Sequence, residues 1–401
     1  MKGPLEGVLV LDLSRVLAGP WASQTLADLG ARVIKVERPG RGDDTRSWGP
    51  PYLGSGSDRE SAYFLSANRG KESIAIDFKD KRGQAIVLAL AGKADILIEN
   101  YKPGGLKAYG LDYHSISKHN PAIVYCSISG FGQAGPYSKK PGYDFTIQAM
   151  SGLMSVTGTE KPTKVGVAVS DLITGLYAST GILASYSRAR ETGRGEWIDV
   201  SLLDSQLAAL ANQGMNFLVT GKSPGLAGNA HPNIVPYQVF ETADDEIVLA
   251  VGNDGQFATL CKAIGHGELA LDSRFASNDA RVQNRRVLVP LLADVLKQKP
   301  ATHWLSVFEN RGIPAAPVNT VAEAFADPHV VERQTVMQLE RTGKQPIPTV
   351  RSPIRLNNGQ PEVGTAPPSL GDSTMAVLHE IGLTEEEIKT LLDEGVAAKP
   401  G

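Results

Sequence analysis

The chain has 401 residues, 42% of them apolar and 21% charged, with a formal net charge of −3. That length exceeds one ordinary core and predicts two domains, while the charge excludes a general attraction to nucleic acid or anionic membrane. No apolar run reaches the roughly 18 residues of a membrane span, and Cys126 and Cys261 lie far apart with no metal-ligand spacing, which fits a reducing, cytoplasmic compartment.

The opening apolar run, residues 7–13, contains Asp12 and lacks a small-residue cleavage site, so it reads as structure rather than a secretion signal. Residues 8–13 predict a strand, 21–29 a helix closed by Gly30, and 32–37 a second strand, together a βαβ unit. Strand-like runs recur at 73–78, 96–99 and 123–129, separated by helical stretches near 83–90 and 114–119. Such alternation predicts a mostly parallel sheet covered on both faces. The first strand–helix turn, Ser14 to Pro20, has no G-x-G-x-x-G, which disfavours a nicotinamide or flavin dinucleotide there.

Residues 165–169 read as an apolar strand, and 172–188 as a helix apolar nearly all round, hence buried inside a domain. The turn Thr192-Gly193-Arg194-Gly195 leads to a strand at 196–202 and a helix at 204–218. Residues 221–232, rich in Gly, Ser, Pro and Asn, read as a linker. A hairpin follows at 237–250 with Asp244 and Asp245 at its turn, then helices to about residue 311. Proline-rich stretches at 346–353 and 361–368 suggest an extended return path, and Thr384-x-x-Glu387 is a capping box that opens the last helix. The expected division is 1–220 for the first part of a large domain, 221–330 for a small one, and 331–401 for a return segment completing the large one.

No G-x-S-x-G, H-E-x-x-H or Walker lysine motif occurs, so carboxylates and backbone groups remain as the chemical resource. Asp171 stands where the apolar helix begins, and a helix N-terminus favours an anion; the residue is either a cap, a common role for Asp there, or a catalytic carboxylate. Gly252, Asn253, Asp254, Gly255 and Gln256 follow a strand and either point N–H groups at an oxyanion or form an ordinary capped strand–helix turn. Basic residues Arg38, Arg41, Arg46, Arg69, Lys71, Lys102, Lys139 and Lys140 gather in the first domain, several just after strands, where phosphate recognition competes with a solvated surface.

Read together, the run Leu11 to Pro20, the segment Gly30 to Glu37 with Gly42-Asp43, Asn68-Arg69-Gly70-Lys71, residues 95–104, Thr192 to Gly195, Ala326-Asp327-Pro328 and Leu370-Gly371 resemble the class III (formyl-CoA and carnitine type) coenzyme A transferases, in order along almost the whole chain. The resemblance implies an α/β fold: an open Rossmann-like large domain, a smaller central α+β domain, and an interlocked homodimer. It implies Asp171 as the nucleophile, CoA contacts at Val16, Arg38, Asn68, Lys71, Asn100 and Tyr143, and the glycine loop at 252–256. Coenzyme A enters as a thioester substrate, with no permanently bound cofactor and no metal. Leu17 stands where formyl-CoA enzymes carry a glutamine, Ala108 where an arginine often contacts CoA, and GNDGQ where others have a run of glycines.

The segments 234–240 and 252–257 are similar to transferases that use succinyl-CoA and a dicarboxylate such as glutarate. A second carboxylate wants a cationic partner, for which His231 and Arg46 are the candidates. The alternative on the same fold is a 2-methylacyl-CoA racemase. That reaction needs two acid/base groups, and here Tyr143 replaces the racemases' histidine while Asn253 and Asp254 replace their loop glutamate. A non-catalytic CoA-binding partner is the third reading, opposed by the intact Asp171 segment.

Overall fold

In the computed structural model, residues 3–356 and 364–400 are described. The chain forms two compact units, one of residues 1–151, 165–210 and 332–401, the other of 152–164 and 211–331.

The first unit is built on a seven-stranded sheet. Its strand order is Ala397–Ala398, Lys71–Ile76, Arg32–Glu37, Leu9–Asp12, Ile96–Glu99, Val124–Ser129, Glu196–Ser201. All neighbours pair in parallel except the short C-terminal strand, which runs antiparallel to Lys71–Ile76. Parallel strands need crossovers, and helices Ala18–Asp28 and Lys81–Lys93 supply two of them. Alternate side chains feed two cores. Leu11, Ile34, Ile74 and Leu97 pack with Ile86, Leu90, Val377 and Ile388 on one face. Val10, Val33, Ile96 and Val124 pack with Ala22, Leu26, Ala178 and Ile182 on the other. Each such buried aliphatic side chain contributes roughly 1.5–3 kcal/mol.

Several expectations need correction. Residues 165–169 form no strand: Val165 donates its N–H to the Gln148 side chain, at 2.8 Å, and the helix begins at Val169. That helix, Val169–Thr192, is not buried all round, for Leu176 and Tyr177 are 51% and 49% exposed in the single chain. Small residues, Gly175, Ala178 and Ser179, form its packed face instead. The expected helix at 204–218 is two, Leu202–Ala209 and Ala211–Thr220, broken where Ala211 takes a φ of 47°. The return segment carries an antiparallel pair, Val336–Leu339 with Ile347–Val350. The proline-rich stretch 361–368 lies partly outside the described residues. The capping box is present in full, with Glu387 N–H on Thr384 Oγ1 and Thr384 N–H on Glu387 Oε2.

The second unit has a three-stranded antiparallel sheet, Ala315–Pro317, Glu246–Ala250 and Tyr237–Glu241. Phe240, Ile247 and Leu249 pack there against Leu260, Leu292 and Phe308 of the helices that follow. No helix among the described residues is long and apolar enough to cross a membrane.

Candidate active site

The order of the first unit's strands reverses between Leu9–Asp12 and Ile96–Glu99. Open α/β sheets bind ligands outside the carboxyl ends of strands at such a switch point. The loops leaving these strands, with Arg15, Val16, Asn100 and Tyr101, line a cleft of about 180 Å³ together with Tyr143 and Asp171.

Asp171 is in the first turn of helix Val169–Thr192, whose N-cap, Ala168, offers no side-chain acceptor. The cap comes from elsewhere in the unit. Ser170 donates its N–H to Asp144 Oδ1, at 2.8 Å, and Gln148 Nε2 donates to Asp144 Oδ2, also at 2.8 Å. Ser170 Oγ donates to Gln206 Oε1. With Asp144 as the cap, Asp171 is left without that role, and no hydrogen bond holds its carboxylate among the described residues. Burial, and then the Asp144 charge, push its carboxyl up to about 7, against the pull of the helix dipole. A half-buried carboxylate with no donor is poorly solvated, and weak solvation is what makes a carboxylate nucleophilic. Tyr63 feels the same charges: burial, then Asp171 and Asp144, push its phenol up to about 12. Trp48 meets the Tyr63 ring edge to face at 5.1 Å.

Val16 has a φ of 70°. A β-branched residue in the left-handed region is an outlier costing about 1–3 kcal/mol, and it persists only where its surroundings over-determine it. They do so here. Val16 N–H lies 3.2 Å from both oxygens of Asp43. Asn100 clamps the Arg15 peptide groups, accepting from its N–H at 2.9 Å and donating to its carbonyl at 2.6 Å. Burial alone would raise the Asp43 carboxyl, but Lys35 and the Thr45 N–H hold it down at about 2. Helix Ala18–Asp28 then closes onto the helix carrying Asp171. At Gly175 an added Cβ would stand 2.8 Å from the Ala18 carbonyl oxygen, so only glycine permits the approach.

Of the expected CoA contacts, Val16, Asn100 and Tyr143 line this cleft with Asp171. Arg38 is exposed beside it, 3.9 Å from Asp44. Asn68 and Lys71 are not part of the lining. Lys71 is fully buried, and its ammonium meets Asn68 Oδ1, Pro20 O and Asp12 Oδ2 at 2.9, 3.0 and 3.2 Å. Burial, partly offset by Asp12, lowers that ammonium to about 8. Among the other basic residues, Lys102 and Lys140 line the cleft, whereas Arg46 is held by Glu37 and Arg69 by Asp28. Arg46 is therefore not free for a second carboxylate. Sequence reasoning missed Arg15, which lines the cleft, gives Nη1 to Asp44 and keeps a buried Nε without an acceptor. It also missed Asp144 and Tyr63; the only sequence signal for Asp144 was its place next to Tyr143.

In the second unit, Asn253 is the N-cap of helix Asp254–Ala263, accepting from Gln256 N–H at 2.9 Å. Gln256 Oε1 in turn accepts from Gly252 N–H at 2.8 Å. The Gly252 donor is thus engaged within the loop, leaving Asp254 and Gly255 as first-turn residues whose N–H groups have no intrahelical acceptor. Fully buried Arg281 pins the loop through Asp254 Oδ1 at 2.8 Å, while also donating to the Val235 and Phe275 carbonyls. His231 accepts at Nδ1 from Asn233 N–H.

Comparison with known proteins agrees with this architecture. A succinate–glutarate CoA-transferase of Agrobacterium fabrum is 47% identical over 96% of this chain and 97% of that protein. A human succinyl-CoA:glutarate CoA-transferase is 46% identical over 98% of this chain and 90% of its own length. The crystal structure of a CAIB/BAIF family protein from Brucella suis superposes with a TM-score of 0.83 at 46% identity, covering 95% of this chain and all of that one. Residues 5–374 match the family described as CoA-transferase family III, and the chain belongs to that family, as an enzyme that transfers coenzyme A.

Proposed function

We propose that the enzyme moves CoA from succinyl-CoA to glutarate, with Asp171 as the covalent carrier. The single observation that carries the role of Asp171 is its carboxylate: in the cleft, relieved of capping by Asp144, and unpartnered. Ionised Asp171 attacks the succinyl carbonyl, and the C–S bond breaks to release CoA thiolate. The thiolate attacks the aspartyl carbonyl of the mixed anhydride, expelling succinate and leaving an aspartyl-CoA thioester. Glutarate attacks that thioester, forming a second anhydride, and the returning thiolate attacks its glutaryl carbonyl to give glutaryl-CoA and free Asp171. Proximity in the cleft supplies much of the rate.

The names of the relatives support this choice of substrates, and the cations of the cleft support a dicarboxylate. Arg15, Lys102 and Lys140 all line it, and the Arg15 Nε lacks an acceptor. Of the cleft's two carboxylates, Asp44 is held by Arg15, and no histidine or glutamate lines the cleft among the described residues, which speaks against the two-base chemistry of a racemase. We also read the working form as an interlocked homodimer, supported by the family resemblance and the exposed Leu176 and Tyr177.

The mechanism routes one glutarate oxygen through the Asp171 side chain into the next succinate. Heavy-oxygen-labelled glutarate should therefore deposit label in the peptide containing Asp171, and then in succinate. Turnover with no label at Asp171 would remove the residue from its role, and equal turnover with monocarboxylates would remove the dicarboxylate preference.

A further inference from the structure

Two buried ion pairs lie beneath the turn formed by Ser14, Arg15 and Val16, and neither pair lines the cleft. Lys35 meets Asp43 at 2.9 Å and Lys71 meets Asp12 at 3.2 Å, with all four side chains 0% exposed. Burial opposes ionisation of all four, yet the neighbouring opposite charges hold Lys35 up and Asp12 down, whereas at Lys71 burial wins and lowers the ammonium to about 8. Buried ion pairs are poor stabilisers, since apolar side chains of similar volume often do as well or better. Something other than stability is therefore served by having charges here.

The partners of these charges show what that is. Lys35 Nζ donates to the Ser14 carbonyl at 2.7 Å. Asp12 Oδ1 accepts from Ser14 N–H at 2.9 Å, and both Asp43 oxygens face Val16 N–H. Beyond the turn, Asp43 Oδ1 also accepts from Thr45 N–H and Oγ1, and Glu37 Oε2 accepts from Asp43 N–H, so Asp43 cannot swing away. The charged groups thus grip the backbone at Ser14 and at the N–H of Val16, the residue whose φ of 70° its own side chain resists.

We propose that the Lys35–Asp43 pair is a positioning device that holds Val16 in its left-handed conformation, so that the turn forms the cleft wall beside Asp171. The inference rests on the cleft being where CoA is transferred. Lys35 and Asp43 are positioning residues, acting through the Val16 backbone on the thioester's approach to Asp171.

The test replaces the pair by apolar side chains, K35M/D43L, in the full chain. The melting temperature should fall, because the Ser14 carbonyl and the Val16 and Thr45 N–H groups lose their partners, while kcat/KM falls about 10²-fold, the loss expected when a reacting group is misplaced by about 1 Å. The fall should lie mainly in kcat, because the wall orients the thioester more than it binds it. Adding V16G should recover about tenfold of that loss, since glycine takes a positive φ without help. The milder D43N, which keeps the shape and one acceptor, should show a smaller loss with the same rescue, and it decides the matter should the double variant fail to fold. Near-normal kcat/KM in the apolar variant, or no rescue by V16G in either background, overturns the proposal. Adduct formation at Asp171 from succinyl-CoA alone is measured in parallel. It should slow in the pair variants and vanish only in D171N. Absence of the adduct in the unaltered enzyme instead counts against Asp171 as carrier, leaving the positioning role to be decided by turnover and rescue.

Discussion

Replacing Asp171 by Asn should make the protein more stable while stopping the reaction. Burial, with Asp144, moves the Asp171 carboxyl from an ordinary 3.8 to about 7 in the native chain. Between those values the unfolded chain has released the proton that the native state retains, so stability falls as pH rises from about 4 towards 7. The whole penalty is present above pH 7. Each pKa unit corresponds to about 1.4 kcal/mol, which gives about 4 kcal/mol at pH 8 and about 1 kcal/mol at pH 4.5. D171N keeps the shape without the charge, so urea unfolding should show a gain approaching 4 kcal/mol at pH 8 that shrinks to about 1 kcal/mol at pH 4.5. CoA transfer should drop by at least about 10³-fold, as when a covalent nucleophile is lost. A gain identical at both pH values, or none at pH 8, would refute the assignment of a strained buried charge. Function and stability then trade against each other at one atom group.

Asp144→Asn retains an acceptor for Ser170 N–H but removes the charge facing Asp171. The acid limb of kcat/KM, set by ionisation of Asp171 near pH 7, should move to lower pH; because burial is the larger cause, the limb should stay above that of an ordinary aspartate. An unmoved limb would sever the link between the two carboxylates. Gly175→Ala places a methyl 2.8 Å from the Ala18 carbonyl and 3.2 Å from Trp21 side-chain atoms, so the two helices must separate. A loss of about 1–3 kcal/mol and reduced kcat/KM are expected, measured by thermal melts and steady-state kinetics, although alanine is the better helix former. A variant with normal activity would show that this approach is not needed for the site.

What could be read from the sequence was local. Arg32–Glu37 and Ile96–Glu99 form strands over the predicted bounds, because short apolar runs between polar turns leave few other options for a buried parallel sheet. The run at 165–169 looked like one of these, yet it pairs with no strand among the described residues: Val165 N–H turns to the Gln148 side chain and Val169 N–H to the Val167 carbonyl. Apolar composition also overstated the burial of the helix after it, since composition does not say which face a neighbour will cover. At the site, Asp171 stood out by its place before a long helix, but whether it capped that helix depended on Asp144, 27 residues upstream. The same holds for Val16: its backbone conformation is dictated by Asp43 and Asn100, which no local pattern ties to it.

The outermost parallel strand of the main sheet, Lys71–Ile76, receives its neighbour from Ala397–Ala398, and Asp77 N–H bonds to the Val396 carbonyl. During synthesis on the ribosome that strand is made early and keeps an open edge until Ala397 and Ala398, far along the chain, have emerged. Unpaired edges recruit other strands, and late, long-range closure slows folding. Nascent chains are therefore exposed to mispairing at this edge over a long stretch of synthesis, and removing Ala397 and Ala398 should shorten the protein's life in a cell more than their small size suggests.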